Sequence, residues 1–316
     1  MKTQFTSLVT GGAGFIGSHL TDSLVRRGHQ VICADNLITG KKENLTDALS
    51  SGQATLIEAD ITEIELKVKP DFIFHLASPA SVPDYQKWPL ETARANSVGT
   101  WRLLELADAC GARFLFTSTS EVYGNPKEHP QKESYWGNVN PVGIRSCYDE
   151  SKRFGEMLTL EYVRSKHADG RVVRIFNTYG PRMRPDDGRV VSNFINQSLA
   201  GLPLTVYGNG SQTRSFCYVD DMVRGIEAAM FTDQTTGEVI NLGNPQELSV
   251  LSLAEKVLSL TGSGAGTAVK KLPEDDPEIR CPDISKAGQL LSWKPEVTLE
   301  EGLRKTIAYY RSLMKP

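Results

Sequence analysis

Short apolar runs alternate with amphipathic stretches through the first half of the chain. Each run is rich in β-branched or aromatic residues and has the length of a buried strand. We predict strands at 5–10, 30–35, 54–59, 71–76, 113–118 and 171–176. The stretches between them, such as 18–28 and 100–111, carry apolar residues at helical spacing and end in glycine. This alternation predicts an α/β fold with a doubly wound parallel sheet.

The pattern changes after residue 177. Loops rich in glycine, proline and arginine, at 177–189 and 207–215, separate shorter elements. The apolar run 238–243 could form a further strand of the main sheet. We therefore expect a large first domain and a smaller C-terminal α/β lobe that is partly interleaved with it.

Composition and charge narrow the class of protein. The 316 residues are 40% apolar and 23% charged, as in ordinary soluble globular proteins. A formal net charge of −3 gives no reason to expect nucleic acid or a membrane as partner. The cysteines are dispersed, without the spacing of metal ligands, and suit reduced thiols. The N-terminus lacks the apolar segment of a signal peptide, so we expect a cytoplasmic protein without a metal.

A glycine-rich turn follows the first predicted strand. The segment TGGAGFIG places Gly11, Gly14 and Gly17 between that strand and a helix. Such glycines let the backbone approach a pyrophosphate, whose charge the helix N-terminus stabilises. Asp35 ends the second strand, where a carboxylate accepts hydrogen bonds from an adenosine ribose and would repel a 2′-phosphate. These features predict a dinucleotide site that prefers NAD to NADP.

Tyr148 and Lys152 lie four residues apart at the start of a predicted helix, so both side chains share one face. A free tyrosine has a pKa of ~10 and is a poor base at neutral pH. Lowering that pKa to around 7 requires roughly 4 kcal/mol, for which an adjacent ammonium and a positive nicotinamide ring are candidate sources. An ordinary surface helix also fits this spacing, but the glycine turn favours a catalytic base.

The segment TSTSEVYG, which continues the fifth predicted strand, contains an acid. We expect a loop from Thr117 onwards, at the sheet edge where ligands of open α/β folds bind. Glu121 either caps the following turn or takes part in chemistry, and the residues alone leave both open.

Together, TGGAGFIG, Asp35, HLAS, this turn and YxxxK resemble the extended short-chain dehydrogenases/reductases, over the whole chain. The resemblance implies NAD in a Rossmann-like domain, here 1–176, and a nucleotide sugar in a C-terminal lobe, here 177–316. It also implies a homodimer formed through two helices per subunit, here 92–110 and 148–166.

Within that family the turn after the fifth strand distinguishes reactions. Sugar 4-epimerases resemble SxxxVYG without an acid before the valine, and 4,6-dehydratases typically carry an Asp-Glu pair. Ser120 and Glu121 are instead similar to the UDP-glucuronate decarboxylases, as are the longer runs YWGNVNPVG, RIFNTYGPRM and DDPEIRCPD. The implied reaction is C4 oxidation of UDP-glucuronate, loss of carbon dioxide and hydride return to give UDP-xylose.

The resemblance also implies roles for individual residues. Tyr148 would remove the 4-OH proton with Lys152 stabilising its phenolate, Thr119 would hydrogen-bond O4, and Glu121 would handle a proton at C5 after decarboxylation. The implied cofactor contacts are Gly11, Gly14, Phe15, Ile16, Gly17, Asp35, Asn36, Gly40, Asp60, Ile61, Leu76, Ala77, Ser78, Tyr148, Lys152 and Thr178. The implied substrate contacts are Ser81, Arg94, Ser120, Glu121, Asn177, Arg189, Tyr207, Gln212, Arg214 and Arg280.

Arg280 resembles the arginine that reaches the substrate carboxylate, where we expect it to serve recognition. The alternative is a salt bridge to Asp275 or Asp276. Arg94 stands where the decarboxylases often have lysine, and Ala95 where they often have a hydroxyl residue.

Other functions stay open at this point. The same scaffold supports a 4-epimerase, a 4,6-dehydratase, an enzyme that releases the 4-keto pentose, or a sensor that binds NAD without chemistry. Glu121 disfavours the epimerase, and Ser120 lacks the acidity that a dehydratase needs. An intact Tyr148–Lys152 pair argues against a sensor.

Overall fold

The computed structural model describes residues 4–65, 67–271 and 279–314. Its strands are β1 (Thr6–Thr10), β2 (Gln30–Asp35), β3 (Ala54–Glu58), β4 (Phe72–His75), β5 (Arg113–Thr119), β6 (Gly170–Ile175), β7 (Thr178–Tyr179), β8 (Leu204–Tyr207), β9 (Thr213–Ser215), β10 (Cys217–Tyr218), β11 (Val239–Leu242), β12 (Glu247–Ser249), β13 (Thr267–Lys270) and β14 (Ile279–Arg280). Its α-helices are α1 (Phe15–Arg26), α2 (Thr46–Ser50), α3 (Val82–Lys87), α4 (Pro89–Arg94), α5 (Thr100–Cys110), α6 (Ser146–Lys166), α7 (Val190–Leu199), α8 (Val219–Phe231), α9 (Val250–Thr261), α10 (Ser285–Leu291) and α11 (Leu299–Leu313).

Within the described ranges, the main sheet has seven strands in the order β3-β2-β1-β4-β5-β6-β11. Every neighbouring pair in it is parallel. The predicted doubly wound parallel sheet is confirmed. The strand order reverses between β1 and β4, which is the switch point where open α/β sheets bind ligands outside their carboxyl ends.

Helices cover both faces of this sheet, and each face has its own apolar core. Leu115 belongs to the core that includes residues of α1 and α8, whereas Phe114 and Phe116 belong to the core that includes residues of α5 and α6. This division follows from the two-residue period of a strand. The apolar runs of the sequence are therefore continuous because they are buried on both faces.

Helix α6 lies directly against β5. A Cβ atom on Gly155 would be 2.3 Å from the Phe116 ring, so only glycine permits this approach. The close packing carries Tyr148 and Lys152, on the first turns of α6, to the carboxyl end of the sheet.

Strand β5 is longer than expected. The predicted loop from Thr117 is wrong, because Thr117 to Thr119 continue the ladder beside Val173 to Ile175 of β6. A 3-10 helix, Ser120–Tyr123, then follows at once. Glu121 is thus held on a helical turn next to a strand end.

The C-terminal part builds small sheets of its own, β8 with β13, and β9 between β12 and β14. Strand β11, however, lies beside β6 in the main sheet. The chain therefore crosses the predicted boundary at residue 176 more than once, and that division stays a prediction. Among the helices that the structure describes, none combines the length and apolar character needed to cross a membrane.

Candidate active site

A cleft lies outside the carboxyl ends of the central strands. The predicted site residues that line it are Gly11, Gly14, Phe15, Ile16, Gly17, Asp35, Asn36, Asp60, Ile61, Leu76, Ala77, Ser78, Ser81, Thr119, Ser120, Glu121, Tyr148, Lys152, Asn177, Thr178 and Arg189. Those that lie outside its lining are Gly40, Arg94, Tyr207, Gln212, Arg214 and Arg280. The fold thus brings most of the predicted cofactor residues and the predicted catalytic residues into one cavity.

The glycine turn fits a pyrophosphate. Gly11 has a φ of +70°, and a Cβ atom there would be 2.8 Å from the backbone of Ala77. A Cβ atom on Gly17 would be 2.0 Å from the Gly11 carbonyl oxygen. Helix α1 begins directly after Gly14 and has no acidic residue in its first turn, so its N-terminus faces the cleft with uncompensated positive charge.

Asp35 is fixed in the wall of the cleft. Its carboxylate accepts the backbone N–H of Ala13 at 2.9 Å and of Leu37 at 2.8 Å. Burial raises the pKa of Asp35, and these backbone donors oppose that rise. Gly40 lies just outside the lining, yet a Cβ atom there would be 2.9 Å from both Asp35 oxygens. Gly40 therefore acts by leaving room for this carboxylate.

The end of β3 carries a second fixed acid. Asp60 accepts the amide N–H of Asn36 at 3.2 Å and both the N–H and hydroxyl of Thr62. These hydrogen bonds and the positive charge of Arg94 outweigh burial and lower the pKa of Asp60. Arg94 is 54% exposed and pairs with Glu63 at 3.5 Å.

Tyr148 and Lys152 are both buried at the inner end of the cleft. The Lys152 ammonium donates to the Thr117 carbonyl at 2.7 Å and lies 5.7 Å from the centre of the Tyr148 ring. Burial raises the pKa of Tyr148 to about 12, against an opposing hydrogen bond with Thr119. Burial also lowers the pKa of Lys152 to about 7. The protein groups alone therefore do not lower the tyrosine pKa as expected, because desolvation dominates.

Glu121 is paired with two arginines. One carboxylate oxygen contacts the guanidinium of Arg145 and the other that of Arg280. Its backbone N–H donates to the Thr119 hydroxyl at 3.2 Å, which orients the turn. Burial raises the pKa of Glu121, but Arg280 and Arg145 outweigh it and hold that pKa below its ordinary value. Glu121 is thus a partly buried anion, 18% exposed, with both oxygens engaged.

Arg280 reaches this cluster from outside the cleft lining. It also donates to the Gly124 carbonyl at 3.0 Å, while its Nε is buried without a hydrogen-bond partner among the described residues. The alternative partners Asp275 and Asp276 lie outside the residues that the structure describes. Glu121 is therefore the observed carboxylate partner of Arg280.

Two further buried groups, which no sequence motif indicated, lie behind the cleft. The Tyr85 ring stacks on the Tyr148 ring, with 5.0 Å between centres and 8° between planes. Asp149 has one carboxylate oxygen without a partner among the described residues. Burial and the negative charge of Glu121 raise the pKa of Asp149 to about 7.

Comparisons with known proteins agree with this geometry. A family model described as the NAD dependent epimerase/dehydratase family matches residues 7–243. The chain belongs to this family.

Curated relatives in the epimerase/dehydratase family include "UDP-glucuronic acid decarboxylase 1" of Xenopus tropicalis, 51% identical over 98% of this chain and 73% of that protein. "UDP-glucuronic acid decarboxylase 6" of Arabidopsis thaliana is 54% identical over 96% of this chain and 88% of that protein. The crystal structure of UDP-glucuronic acid 4-epimerase from Bacillus cereus, in complex with UDP-glucuronic acid and NAD, is 33% identical with a TM-score of 0.90 and covers 98% of this chain and 99% of that one. NAD is the cofactor of the protein described here.

The cleft contains charged residues that were not predicted from the sequence. Arg182, Arg184 and Asp187 also line it. Arg184 pairs at 2.9 Å with Asp84, which in turn accepts the Ser81 hydroxyl at 2.7 Å. The arginine-rich loop 177–189 was the available signal for these residues.

Three predicted substrate residues lie elsewhere in the C-terminal part. The Gln212 amide donates to the Tyr207 carbonyl at 2.8 Å, and Arg214 donates to the Thr213 carbonyl at 2.8 Å. Arg214 is aligned with Arg280 across the β9–β14 pair. Their roles in binding a nucleotide stay predictions.

Proposed function

We propose that this protein is an NAD-dependent UDP-glucuronate decarboxylase that forms UDP-xylose. The observation that carries the proposal is the ionised Glu121, which two arginines hold at the end of β5 beside Thr119 and Tyr148. The identity of 51% to 54% with curated UDP-glucuronic acid decarboxylases supports the same reaction. The glycine turn, Asp35 and Asp60 hold NAD in this proposal, together with the other cofactor contacts predicted above.

Tyr148 accepts the 4-OH proton, and the Thr119 hydroxyl hydrogen-bonds both this phenol and O4. When bound, NAD supplies a reversible two-electron oxidation at C4. The positive charge of Arg189 lowers the pKa of Tyr148 against the effect of burial. Once C4 is a ketone, the sugar carboxylate belongs to a β-keto acid, which loses carbon dioxide through an enolate. Tyr148 then returns its proton to O4 as the ketone is reduced.

Arg280 recognises the substrate carboxylate by exchanging partners. In the structure it contacts Glu121, and a sugar carboxylate offers it an equivalent oxygen pair. Arg145 stays with Glu121 and keeps it in position. With one arginine fewer, the pKa of Glu121 rises towards its ordinary range. Glu121 then takes up a proton from solvent and passes it, through water, to C5 after carbon dioxide has left.

The second candidate is a UDP-glucuronate 4-epimerase, since the Bacillus cereus structure is a 4-epimerase in complex with UDP-glucuronic acid. An epimerase must keep the carboxylate on the sugar and turn the 4-keto ring over. The acid at position 121 and its contact with Arg280 favour decarboxylation instead. An enzyme that releases the UDP-4-keto-pentose would use the same residues. It would differ from a UDP-xylose synthase only because the intermediate leaves before the hydride returns to C4.

We also propose that the protein is a cytoplasmic homodimer. The predicted dimer helices are α4 to α5, continuous through a π-helical turn at Ala95–Gly99, and α6. They expose apolar side chains, notably Leu90 at 74% and Trp101 at 47%. A second copy would cover them, and sedimentation of the wild type against Leu90→Glu tests this. The cysteines carry free thiols, which suits a reducing compartment.

The deciding experiment mixes the purified protein with UDP-glucuronate and trace NAD, and follows absorbance and product mass together. We expect UDP-pentose to accumulate beyond the supply of cofactor, with Tyr148→Phe as the inactive control. One equivalent of NADH for each carbon dioxide lost would indicate release of the 4-keto pentose. A sugar nucleotide of unchanged mass would support the epimerase and overturn the proposal.

A further inference from the structure

Three side chains of the types that bind metals lie close together near β14, the strand that contains Arg280. Their donor atoms, in His129, Glu247 and Cys281, all lie within 4.8 Å of one another. Glu247 begins β12, Cys281 directly follows β14, and His129 comes from the loop after the Ser120–Tyr123 turn. The fold thus joins three segments that are distant in sequence.

Hydrogen bonds position the backbone and the thiol of Cys281. Its backbone exchanges two hydrogen bonds with the buried Gln131, from the Gln131 N–H to the Cys281 carbonyl and from the Cys281 N–H to the Gln131 amide oxygen, both at 2.9 Å. Its thiol donates to the Pro245 carbonyl at 3.4 Å, a hydrogen bond that a metal ion would replace when the thiol loses its proton. One carboxylate oxygen of Glu247 accepts the Thr213 hydroxyl at 2.7 Å, and the other contacts His129 Nε2 at 2.9 Å. The ligands are therefore held close together before any ion arrives.

We propose that His129, Glu247 and Cys281 form a binding site for zinc or a chemically similar divalent transition metal. Thiolate and imidazole select such ions over magnesium and calcium, which prefer oxygen ligands. Three protein ligands leave a fourth tetrahedral position for water. Zinc-to-ligand bonds of about 2.0–2.3 Å require the three donors to move slightly closer together. The His129 side chain has that freedom, since it is 41% exposed.

A bound ion would cross-link the loop around His129, β12 and the end of β14. Because Cys281 directly follows Arg280 in the chain, this cross-link would restrict the movement of the Arg280 guanidinium that contacts Glu121. We therefore expect the metal to stabilise the folded protein and to slow the partner exchange of Arg280. The effect on turnover rests on the proposed function, whereas metal binding does not.

The test measures metal binding without any sugar nucleotide. Protein treated with a chelator is titrated with Co²⁺, and we expect one equivalent to give a sulfur-to-cobalt charge-transfer band that Zn²⁺ abolishes. Cys281→Ser should remove the band, and His129→Gln should weaken zinc affinity by roughly tenfold or more. Zn²⁺ should also raise the unfolding temperature of the wild type but not of Cys281→Ser.

Cys110→Ser is the matched control, because the Cys110 thiol is partly buried elsewhere and contacts the Val68 carbonyl. This variant should keep the band and the full zinc affinity. Absence of stoichiometric binding to the wild type would overturn the proposal. So would a band that persists in Cys281→Ser or zinc affinity that is unchanged in His129→Gln, since His129 and Glu247 would then form only an ion pair.

Discussion

The two ends of the cleft are built on different principles. At the cofactor end, the glycine turn and Asp35 come from successive elements, and backbone atoms at close range set their geometry. At the sugar end, charged side chains set the geometry, and Arg280 reaches Glu121 from 159 residues away in sequence. The cofactor end therefore tolerates little added volume, whereas the sugar end tolerates little change of charge.

The largest expected effect is on the rate of the first catalytic step, the reduction of NAD, as distinct from the later release of carbon dioxide. Tyr148→Phe removes the general base, so the initial reduction of NAD by UDP-glucuronate should slow by roughly 10²–10⁴-fold. Glu121→Gln should leave that reduction within about tenfold of the wild type and instead slow carbon dioxide release. Stopped-flow absorbance with trapped carbon dioxide measures both. Equal loss of the first step in the two variants would show that Glu121 does not act late.

The second prediction concerns volume at the cofactor end. Gly17→Ala places a Cβ atom 2.0 Å from the Gly11 carbonyl oxygen, so the turn must open. Overpacking of this kind costs about 1–3 kcal/mol or more, and we expect NAD affinity to fall by roughly 100-fold. Fluorescence titration with NAD measures the loss. Gly288→Ala in α10 is the control, since its Cβ would meet open space, and an equal loss there would refute the explanation.

The third prediction concerns charge at the sugar end. Glu121→Gln leaves the buried Arg280 without its carboxylate partner, and Arg280→Gln leaves the partly buried Glu121 with Arg145. Each change should lower the free energy of unfolding by about 3 kcal/mol. The double variant should recover about 1–2 kcal/mol of the summed loss. Urea unfolding of all four proteins measures the coupling.

The exposed pair Arg94 and Glu63 provides the control cycle, at 54% and 68% exposure. Its coupling should stay below about 1 kcal/mol. Coupling of equal size in the two cycles would contradict the idea that burial makes the sugar end sensitive to charge.

The last prediction concerns the pH dependence of stability that Asp149 causes. Its pKa is raised from 3.8 to about 7, so the folded state holds a proton that the unfolded state releases. The stability contributed by this group is complete below the unfolded pKa and is lost as pH rises through the folded pKa. Asp149→Asn should therefore gain roughly 2–3 kcal/mol relative to the wild type between about pH 5 and pH 8, since one pKa unit corresponds to about 1.4 kcal/mol. The free energy of unfolding is measured against pH for both proteins. If the two curves were parallel, Asp149 would be ionised in the folded state over this whole range, and the prediction would be wrong.

The same contrast explains what the sequence could predict. The glycine turn and the Tyr148–Lys152 pair depend on neighbours in sequence, so their spacing indicates their chemistry. The partnership of Arg280 with Glu121 and the proximity of His129 to Cys281 depend on how distant segments fold together. The raised pKa of Tyr148 depends on burial, which no local pattern expresses.

The contact between Glu121 and Arg280 means that the substrate and the product are held differently. Under the proposed function, the sugar carboxylate replaces one Glu121 oxygen at Arg280. When that carboxylate departs as carbon dioxide, the product has no anion for Arg280 to bind, and Arg280 returns to Glu121. Under the proposed function, the chemistry itself weakens the hold on the product, so turnover favours the exchange of product for new substrate.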